Sequence, residues 1–385
     1  MKSTKSNRFT AVLASAAALA WINAADAQSP TQTVKLGFAA PMTGPQAQYG
    51  KDYESGVLLA IDDFNATHPK VDGKLTTFAL DSADDQADPK TGTVVAQRLV
   101  DDEIRGMIGH FNSGVTIPAS AIYARAGIPQ VSVATAPAYT RQGFKTTFRM
   151  MTSDTQQGGV VGRYVVDKLK AKRIAIVDDR TAYGQGLAEE FEKSVKSAGG
   201  NIIDHEYTTD KATDFKSILT VLKGKSPDFI YYAGADTQSA PMLKQARSLA
   251  MAAVFASGEM SKTDNFIKVA GPSAEGAIVS LAGLPLERMP GGAAFTKRYE
   301  AKFGTSPSTY APYSYDGAMA MMRAMTEANS STPAVYLPKL AQIDMRGVTT
   351  DHFSYDQYGD LKDAVVTVYK CEHGAWTPLD TISPR

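Results

Sequence analysis

The residues of this chain that could do chemistry stand just after apolar runs end. Ser113 follows the run RGMIG and the turn His110-Phe111-Asn112, Thr135 follows IPQVSV, Tyr183 follows RIAIVDD, and Glu259 follows VFASG. Two small hydroxyls, a phenol and a carboxylate do not make a nucleophile with its base. They suit recognition instead. A hydroxyl at a helix start, beside N–H groups that the helix leaves free, binds a carboxylate. Ser113 would also be a good helix N-cap, and Thr135 has the same option. An acid at a strand end is usually solvated, but in a cleft it pairs with a cationic group. A carboxylate clamp facing an acid is what a zwitterion such as an amino acid requires.

Catalytic patterns are missing. There is no G-x-S-x-G and no H-E-x-x-H, and one cysteine, Cys371, rules out C-x-x-C and any internal disulfide. The five histidines (His68, His110, His205, His352, His373) lack metal-ligand spacing. The stretch GPQAQYGK (44–51) has the look of a phosphate loop, but its glycines are one residue too far apart. Asp52 also stands where that loop needs Ser or Thr. Tyr183-Gly184-Gln185-Gly186 is half of a dinucleotide fingerprint without its third glycine. We expect no catalysis, no cofactor and no metal.

Strands and helices must alternate to bring those loops together. TVKLGFAA (33–40) reads as a strand. Val57, Leu58, Ile61 and Phe64 then fall at helical spacing, followed by strand KLTTFALD (74–81), a helix over 93–100, strand RGMIG (105–109), a helix over 113–126 and strand IPQVSV (128–133). After residue 150 a second series begins. It has a helix near 155–170, strands 173–179, 201–207, 228–234 and 277–280, and helices over 186–198, 214–223, 238–249, 291–303 and 313–328. This rhythm predicts an α/β protein with mostly parallel sheets covered by helices. Ligands of such sheets bind at the carboxyl ends of the strands, which is where the candidate residues lie. The tail from Gly347 turns to short alternating strands, with Cys371 in a β-like run.

The N-terminus has a basic start (Lys2, Lys5, Arg8), a small and apolar run to Ile22, and Ala25-Asp26-Ala27 before Gln28. That order predicts a cleaved signal peptide over 1–27 and export. It holds three of the 40 basic and one of the 40 acidic residues, so the remainder is faintly acidic. Dispersed charge of this kind gives no footprint for nucleic acid.

Several separate segments carry a resemblance: APMTGPQAQYG (40–50), DDQADPKTG (84–92), GHFNSGVTIPAS (109–120), ATAP (134–137), DDRTAYGQGLAEEF (178–191) and AGPSAEGAIV (270–279). In order and spacing they resemble the type I periplasmic binding proteins for branched-chain amino acids, over essentially all of the chain beyond the leader. The resemblance implies two doubly wound parallel-sheet lobes joined by a three-crossing hinge. The N-terminal lobe would take 28–150 and 282–355, the C-terminal lobe 151–281 and 356–385. It further implies a periplasmic monomer that closes on an amino acid (Leu, Ile or Val) and delivers it to the permease subunits of an ABC importer. Ser113 and Thr135 would hold the ligand carboxylate, Glu259 the ammonium, with help from the carbonyl of Asn112 or Ala134. Tyr183 would close over the ligand and Tyr49 line its side-chain end. Ala87 and Asn112 replace a disulfide that some members carry, ADTQ (235–238) replaces an aromatic run, and Met260 replaces a glycine. These departures leave open a ligand without an amino group, such as an aromatic acid, an amide or urea. Glu259 separates the two readings, because an anion gains nothing from it.

Overall fold

The computed structural model describes residues 30–362 and 364–383 together with Met1. The expected leader over 1–27 therefore lies outside the described residues. Strand β1 (Thr31–Ala40) is exposed and alternating at first, then buried over its last five residues, as befits a strand entering the middle of a covered sheet. Around it run α1 (Ala47–Asn65), β2 (Lys70–Val71), β3 (Lys74–Asp84), α2 (Pro89–Asp101), β4 (Gly106–Gly109), α3 (Ser113–Arg125), β5 (Gln130–Ser132) and β6 (Thr147–Arg149). The strand order is β2-β3-β1-β4-β5-β6, parallel except for the β2–β3 hairpin.

The second series comprises α4 (Asp154–Asp167), β7 (Ile174–Asp178), α5 (Ala182–Ser197), β8 (Ile202–Tyr207), α6 (Lys216–Lys225), β9 (Phe229–Ala233), α7 (Asp236–Ser248), β10 (Val254–Ser257), α8 (Asp264–Ala270) and β11 (Ile278–Ala282). The chain then returns to the first sheet with α9 (Gly292–Phe303), α10 (Ala311–Glu327) and α11 (Pro333–Ala341), of which α9 and α10 pack on α1. A two-stranded ribbon follows, β12 (Asp344–Met345) with β13 (Phe353–Ser354). Last come β14 (Val366–Glu372) and β15 (Ala375–Ile382), which add antiparallel to the second sheet. Its order is β15-β14-β11-β10-β9-β7-β8. The chain thus passes between the two sheet systems three times. Among the described residues no helix is long and apolar enough to cross a membrane. The one cysteine, Cys371, is buried in β14.

Two contacts fix α10 on α1. A Cβ at Gly56 would lie 2.1 Å from the Ala311 carbonyl oxygen, so the helices meet backbone to backbone there. One turn earlier, Asp52 accepts from the N–H groups of Ser308 (2.8 Å), Tyr310 (2.7 Å) and Ala311 (3.1 Å). It satisfies the start of a helix that is remote in sequence.

At the edge of the second sheet His205 sits between Asp178 (2.8 Å) and Glu192 (3.0 Å). Burial works against a charged ring, but hydrogen bonds and charge from the two carboxylates outweigh it and raise the pKa. Stability from a raised pKa is fully present below the unfolded value of about 6.5 and is lost as the pH rises through the folded value. His205→Gln should therefore lower the unfolding midpoint more at about pH 5.5 than at about pH 9. Equal losses at both pH values would show that the ring acts by packing alone.

Candidate functional site

The carboxyl ends of the strands of both sheets face one small space of about 10 Å³. From the first sheet, the loop after β4 brings Phe111, Asn112 and Ser113, and the loop after β5 brings Val133, Ala134 and Thr135. From the second, Tyr183 comes from the first turn of α5, and Glu259 and Met260 follow β10. Tyr310, just before α10, closes one side. Close approach is built in at Gly258, where a Cβ would sit 2.4 Å from the Tyr183 hydroxyl.

Acid dominates the second-sheet side. Glu259 is 3 % exposed; its Oε2 accepts from the Gln157 amide and, at 3.0 Å, from the Tyr183 hydroxyl. Burial raises its pKa against those two hydrogen bonds. Asp154, at the first position of α4, is fully buried, and neither carboxyl oxygen has a hydrogen-bond partner among the described residues. Burial, and then the charge of Glu259, push its pKa well up. Burial and the same carboxylate keep the Tyr183 phenol protonated and a donor. The opposite side offers donors. The Ser113 hydroxyl accepts from the Ala136 N–H at 3.2 Å, which leaves its proton to give. The N–H groups of Ser113 and Gly114 open α3 and have no partner within the helix. Acceptors therefore face donors across one small space, an arrangement able to hold a positive and a negative group of one small molecule.

Six of the seven residues singled out in the sequence meet here: Asn112, Ser113, Ala134, Thr135, Tyr183 and Glu259. Three corrections arise. Asn112, with extended backbone, occupies the N-cap of α3, and Ser113 is the first helical residue instead of the cap. The Asn112 carbonyl accepts from Val115 and Thr116, as a helix-opening carbonyl does. The Ala134 carbonyl accepts from the buried Arg149 guanidinium. The Asn112 carbonyl is thus already used twice, whereas the Ala134 carbonyl keeps one lone pair. Tyr49 stands behind the space, stacked on Phe111 at 5.5 Å. Its hydroxyl lies against the Asp236 carboxylate and 2.7 Å from the Met260 carbonyl, with one proton to give to either. That ties the first turn of α1 to the start of α7, as does Gln48, whose amide donates to Asp236 at 3.0 Å.

The model of the family described as periplasmic binding protein matches residues 33–374. A Leu/Ile/Val-binding protein homologue of Brucella melitensis is 34 % identical over 89 % of this chain and 91 % of its own. The chain belongs to the periplasmic binding protein family. It is a binding protein and not an enzyme. An amino acid binding protein of Pseudomonas aeruginosa is 33 % identical over 88 % of the chain and 90 % of its own. Among solved structures, a branched-chain amino acid transporter substrate-binding protein from Streptococcus pneumoniae, in complex with isoleucine, aligns with a TM-score of 0.82. It is 26 % identical and covers 92 % of this chain and 100 % of its own. An ABC transporter solute-binding protein from R. palustris, in complex with benzoate, shares the fold with a TM-score of 0.81 at 19 % identity, over 92 % and 97 % of the two chains.

Sequence reasoning passed over four residues of this binding protein's site. Asp154 and Gln157 come from α4, Tyr310 from the turn before α10, and Phe111 from the turn before Ser113. Asp154 had a signal, because Ser153 and Gln156 form a capping box that marks a helix start with an acid in its first turn. Gln157 and Tyr310 had none, since only the returning chain brings them to the strand ends.

Proposed function

We propose that this protein captures an amino acid in the periplasm and delivers it to the permease subunits of an ABC importer. It would act as a monomer whose two sheet systems, N-terminal lobe 28–150 with 282–355 and C-terminal lobe 151–281 with 356–385, close on the ligand about the three crossings. The observation that carries this reading is a buried carboxylate, Glu259, facing the hydroxyls of Ser113 and Thr135 and the N–H groups that open α3 across one space. The ligand carboxylate would take the Ser113 and Thr135 donors. Its ammonium would take Glu259, with Asp154 behind. Closure removes water, so each charged hydrogen bond gains strength from the low dielectric.

The branched-chain amino acids are the first group expected, in keeping with the relatives named for Leu, Ile and Val. Benzoate, the ligand of one neighbour in fold, is disfavoured: an aromatic acid would bring a single negative charge against Glu259 and Asp154 and no cation to pair with them. In a thermal-shift screen of the purified protein, leucine, isoleucine or valine should raise the unfolding midpoint. A ligand at 100 times its Kd adds about 2.7 kcal/mol. A shift with aromatic acids and none with any amino acid would overturn the reading.

A further inference from the structure

A second, larger cavity of about 250 Å³ adjoins the clamp, and the two share Asn112, Ser113, Tyr183 and Met260 as lining. Both sheet systems contribute to it: Gln46 and Pro89 on one side, Ala182 and Ala235 on the other. The charged residues along it are Asp179, Asp210 and Arg180. Asp179 is only 4 % exposed. Its Oδ1 accepts from the Thr181 N–H (2.9 Å) and hydroxyl (2.6 Å), while Oδ2 has no hydrogen-bond partner among the described residues. Arg180 does not answer that charge. Its guanidinium lies 3.3 Å over the Tyr207 ring and 3.9 Å from Asp178.

The clamp's own space of about 10 Å³ has little room for a side chain, and the adjoining cavity has room for a long one. A nearly buried carboxylate with a free oxygen favours a cation over a neutral group, because burying a charge unpaired is costly. Two carboxylates against one diverted guanidinium leave the cavity acidic. Resting on the amino-acid reading above, we propose that the ligand range includes amino acids with a long, cation-tipped side chain of the lysine and arginine class, whose terminal group enters this outer cavity and pairs with Asp179. Asp210, from the loop after β8 on the same second-sheet side, adds to the attraction. The α-carboxylate and α-ammonium stay in the Ser113, Thr135 and Glu259 clamp, so aliphatic and basic amino acids use one clamp and differ in the second cavity.

Calorimetric titration of the whole protein with L-leucine, L-lysine and L-arginine tests this. Lysine or arginine should bind. Asp179→Asn should weaken that binding about tenfold or more while changing leucine by less than about twofold. Because Asp179 also holds Thr181, a second variant guards against a folding defect: Ala235→Phe fills the outer cavity and should exclude the basic ligands while leucine still binds. If leucine binds and neither basic amino acid does, or if Asp179→Asn weakens both classes alike, the outer subsite is wrong and the amino-acid reading stands. If no amino acid binds, both fall.

Discussion

Glu259→Gln removes one negative charge without changing the shape of the site, and amino-acid affinity should drop by roughly 2–5 kcal/mol, the range for losing one partner of a buried, hydrogen-bonded charge pair. At about 1.4 kcal/mol per factor of ten this is a rise in Kd of roughly thirtyfold or more. The fall should appear chiefly as faster dissociation. The unliganded protein should respond in the opposite sense. Burial raises the pKa of Glu259, and burial together with the Glu259 charge raises that of Asp154, so a charged Glu259 costs stability at neutral pH and glutamine removes that cost. Calorimetry and thermal melts of one variant therefore give two signs to check. Unchanged affinity would take Glu259 out of the clamp, and a lower unliganded midpoint would contradict the electrostatic account.

The second large effect is expected at Arg149. This side chain is fully buried and donates to the Ala134 carbonyl, to the Ala136 carbonyl (3.1 Å) and to Asp360 (2.9 Å), whose partner Thr140 it also touches. It therefore holds the loop that carries Thr135 and binds that loop to the chain on its last passage between the sheets. Arg149→Leu strands two carbonyls and leaves Asp360 with only the half-exposed Arg141 (2.8 Å) and the Thr140 hydroxyl (2.8 Å). Breaking a buried pair in this way costs about 3–5 kcal/mol, read as a lower urea midpoint. Arg149→Lys keeps the charge but not the fork, so it should recover only part of the loss. Ligand affinity should fall with Arg149→Lys even where the protein is folded, because the Thr135 loop has lost its tether. Wild-type affinity in a folded Arg149→Lys protein would show that the loop holds its shape without it.

The βα rhythm was legible because each strand is a short apolar run and each helix a periodic stripe. The elements missed lack that signal. Helix α11 begins at Pro333 and contains Pro338, β6 is three residues long, and α8 has seven. The clamp residues were legible because strand ends are where such sheets place ligands. Arg149 was not, because an arginine in a strand reads as surface until Asp360, 211 residues on, is folded against it. Tyr49 was misplaced for a reason the sequence contained. The ADTQ segment departs from the family's aromatic run, and its Asp236 takes the Tyr49 hydroxyl away from the ligand space.

The seat of α10 on α1, with Asp52 at its start and Gly56 at its crossing, sets the order in which this chain can be finished. A nascent chain that ends at Arg149 already has every strand of the first sheet, yet the helix that covers one flank lies some 260 residues beyond Asp52. The second sheet is in the same position, because β11 waits for β14 to pair with it. Closing such distant contacts costs little more entropy per added residue, but it slows the search for them. Neither half is therefore a completed folding unit during synthesis, and the late segments from α9 to β14 complete both almost together.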